Sequence, residues 1–206
     1  FIVLIGTAIV ASNLFMTAGL SIETTLRQAC FQVVSIMTTT GYATADFDRW
    51  SLLSRTVLVT LMFIGGCSGS TGGAIKVGRI LIMLKQCRLE LQRAIHPRAI
   101  MTARIDGKTI NPEVMINVLL FFFIYIGVAC ISTIIMAAVG LDLVSALTSV
   151  AATLGNVGPG LGKIGPAQNY SFIPASGKYY LSFLMLLGRL ELYTVLALLM
   201  PSFWRK

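Results

Sequence analysis

The sequence predicts an all-α membrane protein built from two tandem units of one architecture: helix, re-entrant loop, helix. Three observations carry that expectation. Of the 206 residues, 56% are hydrophobic, and the mean hydropathy is +0.83, more apolar than a soluble domain of this size. Apolar stretches long enough to cross a bilayer, about 20 residues each, alternate with two that are too short to do so. Each of the short stretches runs into a glycine-bearing polar segment, TTTGYAT at 38–44 and GNVGPGLG at 155–162.

The first span is Phe1 to Ala18. No basic run precedes it and no small-residue cleavage site stands out, so it reads as a span and not as a secretory signal. Because the sequence opens on Phe1, further chain is expected before it. Glu23 to Met37 is the first short helix, with Ser21 as its cap and Glu23 in its first turn, the sign that suits a helix N-terminus. The second span starts at Trp50, runs to Ile64, breaks at Gly65 to Gly73 and resumes from Ala74 to Leu84. Its helix continues to about Ile95 and stops before His96-Pro97, since the residue before a proline is pushed out of the helical region. Ala99 to Ile105, Asp106-Gly107 and Lys108 to Ile110 read as a small hairpin with a two-residue turn. Asn111 as cap with Pro112 at the first helical position opens the next helix. Val114 to Val139 is the third span, Leu143 to Leu154 the second short helix, capped by Asp142, and Tyr179 to Met200 the fourth span. The division expected is residues 1–95 for one unit, 96–112 for a cytoplasmic connector and 113–206 for the second unit.

With Gly41 set over Gly158, Thr39 falls over Asn156 and Tyr42 over Pro159. The broken stretch 65–73 then falls over the stretch containing Arg189. Few residues are identical, so what repeats is the architecture, as in many membrane transport folds. The charge agrees. The net charge is +8, and Lys76, Arg79, Lys85, Arg88, Arg93, Arg98, Arg104 and Lys108 form one block opposed only by Glu90 and Asp106. Apolar spans flank the block, so the positive-inside rule explains it better than nucleic-acid binding does. Residues 85–112 are placed in the cytoplasm, with Arg205 and Lys206 on the same side and both glycine loops on the outer side. Cys30, Cys67, Cys87 and Cys130 lie far apart without a CxxC, so neither a disulfide framework nor a zinc site is expected.

Irregular backbone at membrane depth is tolerated only where protein or a watery cavity satisfies its polar groups. Two such loops, each after a short helix, suit carbonyls that replace the water around a cation. Glycine permits the angles that aim successive carbonyls to one side, threonine adds a hydroxyl, and the helix C-terminus adds partial negative charge. Oxygen ligands without a fixed carboxylate suit a monovalent ion such as potassium, whereas a divalent site calls for Asp or Glu. Asp46 and Asp48 lie just beyond the first loop and read as vestibule charges.

Here the chain resembles a family. TTTGY in one unit and GNVGPG in the other, with GGCSGSTGGAIKVGR and LLGRLELYTVLALLMPSFWR, resemble the Trk/Ktr/HKT superfamily of potassium transporters, and its TrkH-like subunits most. The resemblance covers nearly the whole chain. It implies two helix–pore loop–helix (M-P-M) units of a pseudo-fourfold ion channel fold, the third and fourth of four. It implies potassium uptake across the bacterial cytoplasmic membrane, with potassium transported and no organic cofactor. The filter residues expected are Thr38, Thr39, Thr40, Gly41, Gly155, Asn156, Val157 and Gly158. The segment Gly65, Gly66, Ser68, Gly69, Ser70, Thr71, Gly72 and Gly73 resembles an intramembrane gate loop, and Arg189 a pore-facing arginine. Five glycines in residues 65–73 hold a helix poorly, and a mid-span arginine is costly unless paired or wetted. Neither loop carries the full TVGYG of potassium channels, so fewer coordination sites and weaker discrimination against sodium are expected. The resemblance also implies a homodimer and a cytosolic nucleotide-binding regulatory subunit of the TrkA/KtrA type, with residues 85–110 as docking surface or as contact for anionic lipid.

These segments admit other readings. The loops alone would serve as surface turns, and residues 65–73 as a close helix contact of small residues at spacing four. A phosphate-binding loop lacks the GKS/T ending, and Lys76 comes too late. Gly66-Cys67-Ser68-Gly69 resembles the GxSG of rhomboid proteases. That chemistry needs a histidine within reach of the serine, and the only one, His96, lies 28 residues on, about 40 Å away along a helix. A non-conducting assembly subunit remains the third class.

Overall fold

A computed structural model of the chain describes residues 1–67, 69–70, 72–96, 104–105, 108–190, 192–199 and 201–204. Among these residues the architecture is all-α apart from two very short strand pairs. The first unit begins with α1 (Ile2–Ala18) and α2 (Ile22–Met37). The Ser21 side chain accepts from the Thr24 N–H and starts α2, as its position predicts. After the first glycine loop a 3-10 turn at Phe47–Arg49 leads into α3 (Leu52–Met62). The second unit repeats the order with α5 (Pro112–Ala138), α6 (Leu143–Leu154), a 3-10 turn at Gly162–Ile164, and α7 (Ala175–Arg189). The Asn111 side chain accepts from the Glu113 N–H, and that of Asp142 from the Ser145 N–H. Both helix starts therefore form as read.

The broken second span differs from the expectation in extent. Helix α3 stops at Met62, and α4 (Val77–Ile95) begins three residues later than Ala74. Two strands explain the wider gap: β1 (Ile64–Gly65) pairs in parallel with β2 (Ile75–Lys76), Ile64 opposite Ile75. The ends of the interruption are thus hydrogen-bonded to each other, through Ile75 N–H to Phe63 O at 3.0 Å and Val77 N–H to Gly66 O at 3.2 Å. Backbone groups released from the helix find partners in a miniature sheet, as burial in an apolar medium demands. In the connector, β3 (Arg104–Ile105) pairs antiparallel with β4 (Lys108–Thr109). Asp106-Gly107, the expected turn, lies outside the described residues.

The fourth span is not one helix. It divides into α7, α8 (Leu192–Leu199) and α9 (Pro201–Trp204), so Arg189 ends a helix instead of sitting mid-span. The division falls where the repeat register places the end of the first unit's interruption.

Core packing ties the units together. Val10, Leu14, Val33, Ile36, Phe47, Leu58 and Met62 of the first unit cluster with Ala151, Val157 and Leu161 of the second. A second cluster joins α5, α6 and α7 through Tyr125, Met136, Leu154 and Leu184. By length and apolarity Glu113–Ala138 qualifies by itself as a membrane span, with mean hydropathy 2.7, while Ile2–Ala18 and Leu52–Met62 are shorter apolar helices. Helix α7 meets α6 at Gly188, where an added Cβ would collide with the Leu154 carbonyl oxygen. At Gly127, on α5, an added Cβ would meet nothing within 4 Å.

Gly188→Ala should therefore lower the unfolding temperature of the detergent-solubilised protein, by the about 1–3 kcal/mol typical of overpacking. Gly127→Ala should leave it unchanged or slightly raised. Thermal unfolding of both variants checks this, and equal effects would refute the packing role of Gly188.

Candidate functional site

The two glycine loops leave their helices by one hydrogen-bond pattern. At the end of α2, Thr38 N–H donates to Val34 O, Thr39 to Ile36, Thr40 to Ser35, and Gly41 to Ser35 at 3.4 Å. At the end of α6, Gly155 donates to Ala151, Asn156 to Thr153, Val157 to Ala152, and Gly158 to Ala152, also at 3.4 Å. All four pairs share the register that sets Gly41 over Gly158. The dihedrals match as well: φ is 57° at Thr39 and 56° at Asn156, 76° at Gly41 and 116° at Gly158. Asparagine tolerates the left-handed region and glycine favours it, but a β-branched threonine there is strained, at about 1–3 kcal/mol.

This exit leaves main-chain oxygens unengaged. Among the described residues, the carbonyls of Thr38, Thr39, Thr40, Gly41, Gly155, Asn156 and Val157 accept no hydrogen bond. The next ones along are engaged. Tyr42 O accepts from the Ser35 hydroxyl at 2.6 Å, and Gly158 O from the Tyr170 hydroxyl at 2.7 Å. Of the eight residues expected to coordinate, Gly158 thus differs in having its carbonyl already tied. Thr38 also differs, since its hydroxyl donates to Val34 O at 2.7 Å and stands 2.9 Å from that of Thr40.

The loops lie against each other. A Cβ on Gly41 would collide with the Val157 carbonyl oxygen. The interrupted span closes on both from one side: a Cβ on Gly72 would lie 2.9 Å from Thr39 Oγ1, and one on Gly73 2.5 Å from Gly155 O. The Asn156 amide donates to Met185 O on α7 at 3.1 Å. The structure therefore brings Thr39, Gly41, Gly72, Gly73, Gly155, Asn156 and Val157 to one place. Gly65 and Gly66 sit at the entry of the interruption, where an added Cβ would collide with Gly73 O at the first and lie 2.7 Å from Ser70 Oγ at the second. Gly69 has φ 86° and open space around it. Ser68 and Thr71 lie outside the described residues.

Beneath the loops is a cavity of about 220 Å³ lined by Ser70, Gly72, Lys76, Arg79, Tyr125 and Arg189, among others. Arg189 is exposed, and among the described residues no carboxylate or carbonyl pairs with it; Glu191 lies outside them. Lys76 is the residue that sequence reading missed. Its Nζ donates to Ser70 O at 2.8 Å, to Ser70 Oγ at 3.2 Å and to Gly72 O, drawing the glycine segment into a loop closed by one ammonium. The signal available was position alone, a lysine three residues after the last glycine. Arg79 lies over the Phe121 ring at 4.0 Å from its centroid. The cavity is thus lined by three cationic side chains.

On the opposite side, Asp46 and Asp48 are not free vestibule charges. Asp46 pairs with Arg49 at 3.0 Å and accepts from the Asp48 N–H. Asp48 stands 3.8 Å from Arg55 and accepts from the Gly162 N–H at 3.1 Å. Both short-range partners follow from the 3-10 turn that starts at Phe47 and from α3, which starts at Leu52, two residues later than the Trp50 expected from the sequence.

Residues 8–206 match the family described as TrkH, cation transport protein. The chain belongs to the TrkH family. Among curated relatives, the Trk system potassium uptake protein TrkH of Salmonella typhimurium is 44% identical over 89% of this chain and 38% of its own length. That of Halomonas elongata is 42% identical over 98% of this chain and 42% of its own. The crystal structure of the potassium transporter TrkH from Vibrio parahaemolyticus superposes with a TM-score of 0.92 at 40% identity, covering all of this chain and 44% of the other. The TrkH-family chain therefore spans about two fifths of the length of these relatives. Membership in a family of cation transport proteins displaces the protease reading of Gly66 to Gly69.

Burial pushes the Tyr170 phenol up to about 12 from its ordinary 10.0. The hydroxyl stays protonated, and its bond to Gly158 intact, below the ordinary value; the bond is lost only as pH rises through the shifted one. Tyr170→Phe should free the Gly158 carbonyl and lower the unfolding free energy by about 1 kcal/mol, the worth of one hydrogen bond. Thermal unfolding of the variant checks this, and an unchanged midpoint would refute the tie.

Proposed function

We propose that the chain supplies two of the units that line a potassium uptake pathway in the bacterial cytoplasmic membrane. The support comes from one observation above all: seven carbonyl oxygens that, among the described residues, have no donor, on two adjoining arches built to one pattern. In a membrane such oxygens are tolerable only if water or a cation meets them. Potassium sheds its water onto Thr38–Gly41 and Gly155–Val157, with Gly158 contributing through the lone pair that Tyr170 leaves. The C-termini of α2 and α6 add partial negative charge from behind. Among the described residues no carboxylate stands with these oxygens, which favours a monovalent over a divalent ion.

From the filter the ion enters the cavity under Gly72 and Gly73, where Lys76, Arg79 and Arg189 raise its electrostatic energy. The glycine loop, held by Lys76, is the gate, and conduction requires that it withdraw. Gating of this kind needs a segment with two arrangements of similar free energy, and an interruption closed by a two-residue sheet and one ammonium suits it. The chain acts within a homodimer. The exposed face of α4, carrying Lys85, Arg88 and Arg93, meets a TrkA/KtrA-like nucleotide-binding regulatory subunit or anionic lipid headgroups. Residues 1–95 and 113–206 form the two units and 96–112 the connector between them.

The test uses the complete protein containing this chain, in proteoliposomes or in cells lacking other potassium uptake. Gly41→Ser places a side chain against the Val157 carbonyl and should lower the potassium-to-sodium ratio by about tenfold or more, the scale of a conformational misfit of 1–3 kcal/mol. An unaltered ratio in a folded variant would remove the filter assignment. Arg189→Ala should raise potassium flux severalfold without changing that ratio, and unchanged flux would remove the arginine from the gate.

A further inference from the structure

Asp48 lies seven residues beyond Gly41, outside the segment expected to coordinate. Its carboxylate joins the two units: Oδ1 accepts from the Gly162 N–H, 114 positions away, at 3.1 Å. Both ends of this bond are moored. On the first side, Phe47 is fully buried, the Asp48 N–H is held by Asp46 Oδ1 at 3.3 Å, and Arg55 at the start of α3 stands 3.8 Å from the same carboxylate. On the second side, the chain from 160 to 165 is a closed knot. Gly160 N–H donates to Ile164 O at 2.9 Å and Gly165 N–H to Gly162 O at 3.1 Å. That knot is bolted to α6, through Leu161 N–H to Thr148 Oγ1 at 3.0 Å and Lys163 N–H to Ser145 Oγ at 3.1 Å. The stem of Asp48 lies against Gly165, where a Cβ would stand 3.4 Å from its own.

One rigid body thus follows the Gly41 arch, another follows the Gly158 arch, and Asp48 couples them. The arches also meet directly at Gly41 and Val157. Two points of attachment, one at the arches and one just beyond them, fix the separation and the tilt of the facing carbonyls. Separation and field of the oxygens are what discriminate potassium from sodium in a carbonyl site. We propose that Asp48 is a specificity-determining positioning residue, which sets the spacing of the two carbonyl arches through the Gly162 N–H and does not itself meet the ion. This rests on the filter reading of the arches.

Three variants of the complete protein test it, read out as the potassium-to-sodium uptake ratio and as the difference between potassium and sodium in raising the unfolding temperature. Asp48→Ala removes the acceptor and should reduce both selectivity measures, the uptake ratio by about tenfold, the scale of a hydrogen bond to a charged group. Asp48→Asn keeps an oxygen acceptor for Gly162 while discarding the charge, and should retain the wild-type ratio to within about twofold, since the half-buried pairing with Arg55 is long, at 3.8 Å, and contributes little. Gly41→Ser serves as the control on the filter itself. If Asp48→Asn loses selectivity as Asp48→Ala does, charge and not spacing is at work and the proposal is overturned. If Gly41→Ser shifts the ratio and Asp48→Ala does not, the proposal falls while the filter stands. If neither shifts it, the filter reading falls and takes the proposal with it. Should Asp48→Ala not fold, the Asn variant alone still decides, because a loss of selectivity there contradicts the inference.

Discussion

Seven main-chain oxygens that accept no hydrogen bond among the described residues are the constraint from which the rest of this structure follows. A buried polar group left unpaired costs free energy comparable to a lost hydrogen bond or more, and chains avoid the condition. Here unpaired carbonyls arise twice by the same device, in the buried residues Gly155 and Val157 and in the exposed Thr38 and Thr40. A short helix ends, two residues take positive φ, and the amide groups fold back onto the helix while the carbonyls do not. The exit satisfies every donor of the arch and leaves the acceptors over. Such an arrangement is stable only beside something positive or wet.

The surrounding structure keeps those oxygens uncovered yet fixed. Ser35 and Tyr170 hold the carbonyls just beyond each arch, Tyr42 and Gly158 respectively, so each free run ends at a pinned oxygen. Two different residues from two different elements thus perform one task, on a helix in the first unit and on a loop in the second. Glycine supplies contact where the elements converge. Gly41 admits the Val157 carbonyl and Gly73 admits that of Gly155; any Cβ would push the layers apart. The interruption between α3 and α4 can therefore lie directly against the arches, its ends joined as the β1–β2 pair and its Ser70 and Gly72 carbonyls held by Lys76.

Charge is arranged in opposition across this layer. Beyond the arches, the acidic side chains of Asp46 and Asp48 are spent on Arg49, Arg55 and main-chain N–H groups, and they act as struts. On the other side Lys76, Arg79 and Arg189 line one cavity. Under the proposed function, an alkali ion leaving the arches would meet the positive potential of these three side chains. The Lys76 ammonium, which holds Ser70 and Gly72, would then both shape the loop and repel the ion.

The sequence by itself determined the order of helices, their caps at Ser21, Asn111 and Asp142, the two-unit register and the glycine segments, because these follow from local periodicity, turn chemistry and charge bias. It also marked Thr39 and Asn156 as equivalents, although nothing local says that both take positive φ. Four things were decided only by tertiary structure. These are the sheet that widens the break to Met62–Val77, the division of the last span after Arg189, the grip of Lys76 on Ser70 and Gly72, and the reach of Asp48 to Gly162. The reason is the same in each case. A donor or acceptor freed at one point of the chain is satisfied by whichever partner the packing brings near, and that partner can stand 114 positions away, where no sequence period connects the two.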